Sequence, residues 1–346
     1  MYAKKPEGFQ LKGFIEVLVE NRWIQLATTV FAVISPLGVV LGYVWIFWTG
    51  LGLFIAGLFY AVIQEYHILK IYRRDFVPVP VVINISNPAD SKNALNSVFS
   101  LIENDDKNQY RYRHKENLEK IFHIKEDDLI FEFKGSIENK ENLIDFLKIV
   151  RHDIGKLESK IPAKDEFYLI YIGPVSVAVL VGAIFATSAV MILQYDKSVN
   201  GYNKVHEIRD RSIKENVKSF EKLDLKRINT NKNDSKNAVL AIDISSHKID
   251  LNQLHDDGDI FYLKARNNNG TLSKDEDWGL YVKEIFKELN ELQGKYEEVK
   301  LIYSMPVSIG LMLGVAIQNY WKIMLTQYAD GSYKDLLRTN DIKYYF

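Results

Sequence analysis

Hydrophobic and polar positions alternate on two different rhythms along this chain. From Trp23 to Gln64, "WIQLATTVFAVISPLGVVLGYVWIFWTGLGLFIAGLFYAVIQ", no side chain is charged, and the run is about twice the roughly twenty residues that a helix needs to cross a bilayer core. Two helices are therefore expected over 23–74, with their turn near "WIFWTG" at 45–50. Ser35-Pro36 either kinks the first helix or is itself the turn. A secretory signal would have a far shorter apolar core, nearer the start. Upstream, "GFQLKGFIEVLVENR" has apolar residues at helical spacing, so 1–22 reads as a helix lying on the membrane face. Lys4, Lys5, Lys12 and Arg22 precede the hairpin and Lys70, Arg73 and Arg74 follow it, which puts both ends on the cytoplasmic side. Gly38 with Gly42, and Gly52 with Ala56, are small residues four apart. Such pairs let helix backbones touch, or they reflect only the frequency of glycine in membrane helices.

After Asp75 the rhythm changes to short β-branched runs separated by longer helical stretches, the pattern of a mainly parallel α/β sheet. "PVVINIS", "DLIFEFK", "FYLIYIG" and "AVMILQY" form one series, with "KENLIDFLKIVRHDIGKLESK" as a helix between strands. A polar segment, "NTNKNDSK" at 229–236, separates it from a second series, "AVLAIDIS", "DIFYLKA", "KLIYSMP" and "WKIMLTQY". The series correspond: 81–86 aligns with 240–245, and "YIGPVSVAVLVGA" from Tyr171 aligns with "YSMPVSIGLMLGV" from Tyr303. The chain thus carries two Rossmann-like units, 75–230 and 231–346. In each, a proline opens a helix at the strand end, where free N–H groups and the positive helix end suit an anion. Two such turns related by a pseudo-twofold would build one composite pocket for a ligand with repeated parts, such as a cyclic oligonucleotide.

Composition narrows the choice. Lys and Arg number 44 against 45 Asp and Glu, a formal charge of -1, so no polymeric nucleic acid is expected to bind. Cysteine is absent, which removes disulfides and thiolate chemistry. No ionisable group lies within the apolar run, against an ion-coupled carrier. There is no Gly-x-Ser-x-Gly elbow, His-Glu-x-x-His pair or Walker loop, so no catalytic residues, cofactor or metal are assigned. "LHDDGD" at 254–259 and "KDEDW" at 274–278 lack the spacing of a calcium loop and read as a turn and a helix start.

The pattern "YLIYIGPVSVAVLVGA…QYD…GYNKV" after a first Rossmann-like strand resembles the SAVED domain, two fused CARF-like units that sense cyclic oligonucleotides in bacterial antiphage defence. With the hairpin in front, the whole resembles a membrane effector of the CBASS type. That resemblance implies a fold of an N-terminal transmembrane α-hairpin followed by two CARF-like Rossmann units. It also implies a cyclic trinucleotide ligand, self-association, and damage to the bacterial inner membrane that kills or arrests the cell. The expected ligand groups are Ser86, Asn87 and Lys134 in the first unit, and Ser245, Ser246, His247, Lys264 and Arg266 in the second. The two turns add Gly173, Pro174, Val175 and Ser176, with Pro306, Val307 and Ser308; Tyr195, Tyr202, Tyr328 and Tyr333 are candidates to stack bases. Rival readings are a sensor of cyclic oligoadenylate in type III CRISPR, a membrane-tethered enzyme that degrades the cyclic nucleotide, and an inert scaffold that binds only a protein partner.

Overall fold

The computed structural model describes residues 22–74, 76–104, 114–161, 164–228, 235–254, 258–266, 272–273 and 275–345. The expected surface helix at 1–22, but for Arg22, lies outside them, as do most of the polar segment at 229–236, residues 255–257 of the first acidic group and Lys274 of the second. The chain forms two compact units, one of Met1–Val77, Phe99–Asp127 and Leu157–Asp165, the other of Pro78–Val98, Asp128–Lys156 and Glu166–Phe346.

In the first unit, α1 (Arg22–Val40) and α2 (Val44–Arg74) form the expected helix pair, but the turn falls at 41–43, not 45–50. Gly42 explains the shift: it takes φ +72°, a left-handed conformation open to glycine, while its N–H bonds to the Val39 carbonyl and that of Tyr43 to the Gly38 carbonyl. This is a Schellman helix end. Ser35 and Pro36 lie inside α1, so they are not the turn. Trp45, Phe47 and Trp48 consequently sit on the first turns of α2. By length and composition, Val44–Ile63 is able to cross a membrane, with 20 residues and a mean hydropathy of 2.1; the apolar stretch of α1, Ile24–Val40, is shorter. The helices touch along small residues, one of them among those expected. Gly38 is a contact, since a Cβ there would lie 2.8 Å from the Phe47 nitrogen, and Gly50 faces Ser35. Gly42 belongs to the turn, and Gly52 and Ala56 are exposed.

The second unit holds the two sheets. The first is ordered β2-β1-β3-β4-β5, from β1 (Val77–Asn84), β2 (Ile130–Glu132), β3 (Asp165–Ile172), β4 (Ala189–Asp196) and β5 (Gly201–Ile208). The second is ordered β11-β10-β9-β7-β8-β6, from β6 (Leu223–Ile228), β7 (Asn237–Asp243), β8 (Asp259–Ala265), β9 (Glu298–Ser304), β10 (Ile323–Ala329) and β11 (Ser332–Arg338). Reading β7 to β11 as the counterparts of β1 to β5 gives the same order in both sheets, which bears out the duplicated α/β architecture. Both sheets end in an antiparallel hairpin, β4-β5 and β10-β11. Among the described residues only the second carries an extra antiparallel edge, β6 on β8; it precedes residue 230 yet belongs to the second sheet.

Between strands run α3 (Ser91–Glu103), α4 (His114–Phe122), α5 (Lys140–Lys160), α6 (Val175–Ile184), α7 (Trp278–Gln293) and α8 (Val307–Ile317). Strands β1 and β7 are buried almost throughout, as strands covered on both faces must be. Residues 176–184 of α6 and all but the first of α8 are buried, and the two helices pack on each other. That contact joins the two copies, and it rests on glycine. A Cβ on Gly182 would lie 2.0 Å from the Leu311 carbonyl oxygen, and one on Gly314 2.0 Å from that of Val179. No other residue admits so close an approach of backbones.

Candidate functional site

The carboxyl ends of β3 and β9 bring the two proline turns to the seam between the copies. Each proline turn is built alike. Pro174 and Pro306 cap α6 and α8 with extended ψ of 145°, and their carbonyls accept the N–H groups of Val177 and Ala178, and of Ile309 and Gly310. No side chain caps either helix. Gly173 is required for space, because a Cβ would meet the Tyr171 hydroxyl at 2.6 Å. That hydroxyl donates to the Pro174 carbonyl at 2.8 Å and closes the turn.

The serines two residues into each turn reach across the seam. Ser176 donates to Gln327 Oε1 at 2.9 Å, and Ser308 donates to Gln194 Oε1 at 2.6 Å. Both serines are fully buried. Their hydroxyls, expected to meet a ligand, thus hold each turn to the end of the other copy's strand. Tyr171 and Tyr303 lie beneath: burial pushes the Tyr171 phenol well above its ordinary pKa, nearby Tyr303 adds to this, and burial likewise raises Tyr303. Tyr303 donates to the Thr326 carbonyl. Both stay neutral across the physiological range.

The four candidate stacking tyrosines form two matching pairs. Tyr195 and Tyr202 are opposite one another in β4-β5 with ring centroids 5.5 Å apart; Tyr328 and Tyr333 are opposite in β10-β11 at 5.0 Å. Tyr195 and Tyr328 are exposed, their partners half-buried. Burial, then Asp90 and Tyr195, push the Tyr202 phenol up to about 12. Each hairpin also carries a register shift at the same place, Ile192/Leu193 and Leu325/Thr326, three residues ahead of the exposed tyrosine. A bulge adds twist and re-aims the side chains beyond it.

The first-strand ends differ between copies. Asn87 is used as a cap, its Oδ1 accepting the Ala89 N–H at 3.2 Å, while Ser86 donates its N–H to Asn84 Oδ1 at 2.9 Å. Ser245 shares a hydroxyl contact of 2.6 Å with Ser304, whose own hydroxyl donates to the His247 carbonyl. Ser246 and His247 are exposed. Sequence reasoning passed over the pair just upstream: Asn84 and Asp243, equivalent in the alignment, are both buried. Asn84 is held by local bonds, whereas Asp243 accepts the Tyr262 hydroxyl at 2.6 Å and has Lys248 at 3.5 Å. The signal was present in the apolar run of each strand, which a polar residue closes at the carboxyl end. Lys134 and Lys264 are exposed at the ends of β2 and β8, and Arg266 pairs with Asp224 at 2.8 Å. Among the described residues no group of three or more His, Asp or Glu is placed to hold a metal.

No curated protein matches this chain. Among solved structures, the chain is similar to the Acinetobacter baumannii Cap4 SAVED/CARF-domain containing receptor with the cyclic trinucleotide 2'3'3'-cAAA, at 14% identity and TM-score 0.46, covering 83% of this chain and 56% of that one. It is also similar to the Moraxella osloensis Cap4 SAVED/CARF-domain containing receptor, at 13% identity and TM-score 0.44, covering 83% and 54%. The chain therefore spans about half the length of these proteins. Residues 209–338, which take in β6 to β11, match the model of the SAVED family, the SMODS-associated and fused to various effectors sensor domain.

Proposed function

We propose that this chain is a membrane-anchored sensor of a cyclic oligonucleotide, with a cyclic trinucleotide as the first ligand to test. The observation that carries the reading is the SAVED match over 209–338, together with a first copy that has the same strand order. Two like turns and two like tyrosine pairs along one seam present a ring of repeated units with repeated partners. The exposed rings of Tyr195 and Tyr328 suit base stacking, and the helix starts that no side chain caps suit hydrogen bonding to phosphate.

In this reading 23–74 anchors the protein in the bacterial inner membrane as two passes, with both termini and the sensor, 75–230 and 231–346, on the cytoplasmic side. One hairpin encloses no aqueous path, so membrane damage requires several chains to bring their hairpins together. Ligand binding orders that assembly and the cell dies or stops growing, a defence of the CBASS kind. The chain itself carries out no catalysis and needs no metal.

The test is calorimetric titration of the full chain in detergent with cyclic di-, tri- and tetranucleotides and a linear trinucleotide, followed by dye release from vesicles. Binding of one ring size and leakage that depends on it are expected. Binding of none leaves an architectural repeat and sinks the sensor reading. Leakage equal with and without ligand sinks gating. Recovery of a shortened or linear product by chromatography makes the chain an enzyme.

A further inference from the structure

Two glutamines of the repeated Gln-Tyr strand ends, which carried no assigned role, take part in the seam. Gln194 and Gln327 each precede the exposed tyrosine of their hairpin, Tyr195 or Tyr328, and each follows the register shift in β4 or β10. Each is half-buried at the strand's carboxyl end. Each has its Oε1 taken by the other copy's serine, at 2.6 Å for Gln194 and 2.9 Å for Gln327.

A carboxamide has one acceptor oxygen and two N–H donors. Pinning the oxygen fixes the plane of the amide and decides which way the N–H groups point, much as a second partner fixes a histidine that binds a metal. Gln327 turns one N–H toward the Tyr328 carbonyl at a long 3.4 Å. Gln194 makes no comparable bond among the described residues. What remains at each site is an oriented donor pair beside an exposed aromatic ring, repeated by the pseudo-twofold.

We propose that Gln194 and Gln327 are ligand-positioning residues of the cleft, which donate their side-chain N–H groups to acceptor atoms of the bound ring while Ser308 and Ser176 hold their oxygens. The acceptors are phosphate oxygens or base ring nitrogens. This rests on the cyclic-oligonucleotide reading and adds to it a pair of donors with a fixed direction. It also makes the two copies interdependent, because the donor on one hairpin is aimed by the turn of the other.

The test uses the full chain in detergent with cyclic triadenylate as the probe, and compares Q194M, Q194E and S308A with the unaltered protein. Q194E keeps an acceptor for Ser308 but has no donor for the ligand; Q194M keeps neither. Both are expected to weaken binding about tenfold or more, the loss of one hydrogen bond to a polar or charged group. S308A leaves the donor in place and loosens only its aim, so a loss of a few-fold is expected. The thermal midpoint of Q194E should stay near that of the unaltered protein, since its bond to Ser308 survives. If Q194M binds like the unaltered protein, or S308A is as damaging as Q194M, the glutamine only ties the copies together and the proposal is overturned. If the unaltered protein binds no cyclic nucleotide, the sensor reading fails first and the proposal falls with it.

Discussion

Replacing Gly314 by alanine is the sharpest test of the seam. The new Cβ would lie 2.0 Å from the Val179 carbonyl oxygen, 2.9 Å from its carbon and 3.0 Å from the Ala183 nitrogen. The three nearest atoms are all backbone, so no side chain can swing aside to relieve them. Restoring even 3.0 Å at the oxygen requires α6 and α8 to separate by about 1 Å locally, since 3.0 − 2.0 = 1.0. Overpacking of this kind costs about 1–3 kcal/mol. Parting the helices also strains the two serine-glutamine bonds, each contributing about 1 kcal/mol. Against this, alanine in a helix interior gains about 1 kcal/mol over glycine. The net expectation is a loss of about 2 kcal/mol, opposite in sign to the gain that the same change would bring on a helix with a free face. Urea unfolding of the full chain in detergent measures it, and amide hydrogen exchange should locate the loss in 175–184 and 307–317. G182A should behave alike, its Cβ meeting the Leu311 oxygen at 2.0 Å. The double variant should cost less than the sum, because one separation relieves both contacts. A neutral or stabilised G314A refutes the close approach and with it the seam as described.

Other expectations follow from particular side chains. Glu288 is 2% exposed with Oε1 unpartnered, and burial raises its pKa; E288M should raise stability by about 1 kcal/mol at pH 7, read by the urea midpoint. His206 packs beneath Gly279, whose Cβ would meet the ring at 2.4 Å, and burial lowers its pKa below 6.5. A depressed histidine binds its proton more readily in the unfolded chain, so its contribution is present above pH 6.5 and lost as pH falls through the folded pKa. H206F should flatten stability between pH 7 and 5, as thermal midpoints will show. In the hairpin, a Cβ at Gly50 would lie 3.6 Å from that of Ile34, a separation that suits a disulfide. Because the chain has no cysteine, I34C/G50C should close a bridge on mild oxidation, visible as a mobility shift on a gel, while I34C/G52C should not.

The duplicated α/β fold was legible because both copies repeat a strand-turn-helix sentence whose letters have local causes: proline at a helix start, glycine at a fixed depth in the helix, tyrosine at the strand end. The strands of the two series were found where β-branched runs are nearly all apolar, as in β1 and β7. Strands β5, β6 and β11 escaped notice because each has a face of charged and polar residues, "GYNKVHEI", "LDLKRI" and "SYKDLLR", and is a strand through its partner. The hairpin turn was misplaced for a similar reason. The turn was expected in the aromatic run at 45–50, but a single left-handed glycine at 42 ended the helix.

The candidate site divides along the same line. Sequence alone determined which turns, tyrosines and strand ends are repeated, since these are matters of composition and order. Tertiary structure decided what each side chain does there. Ser176 and Ser308 read as free hydroxyls in a turn, yet they bond residues 151 and 114 positions away. Gln194 and Gln327 were legible as a repeated Gln-Tyr strand end but not as donors, because their role arises from a partner on the other copy. Periodicity reports a residue's own surroundings along one element. A bond across a pseudo-twofold depends on where two elements meet, and here two glycines with no side chain between them set that meeting.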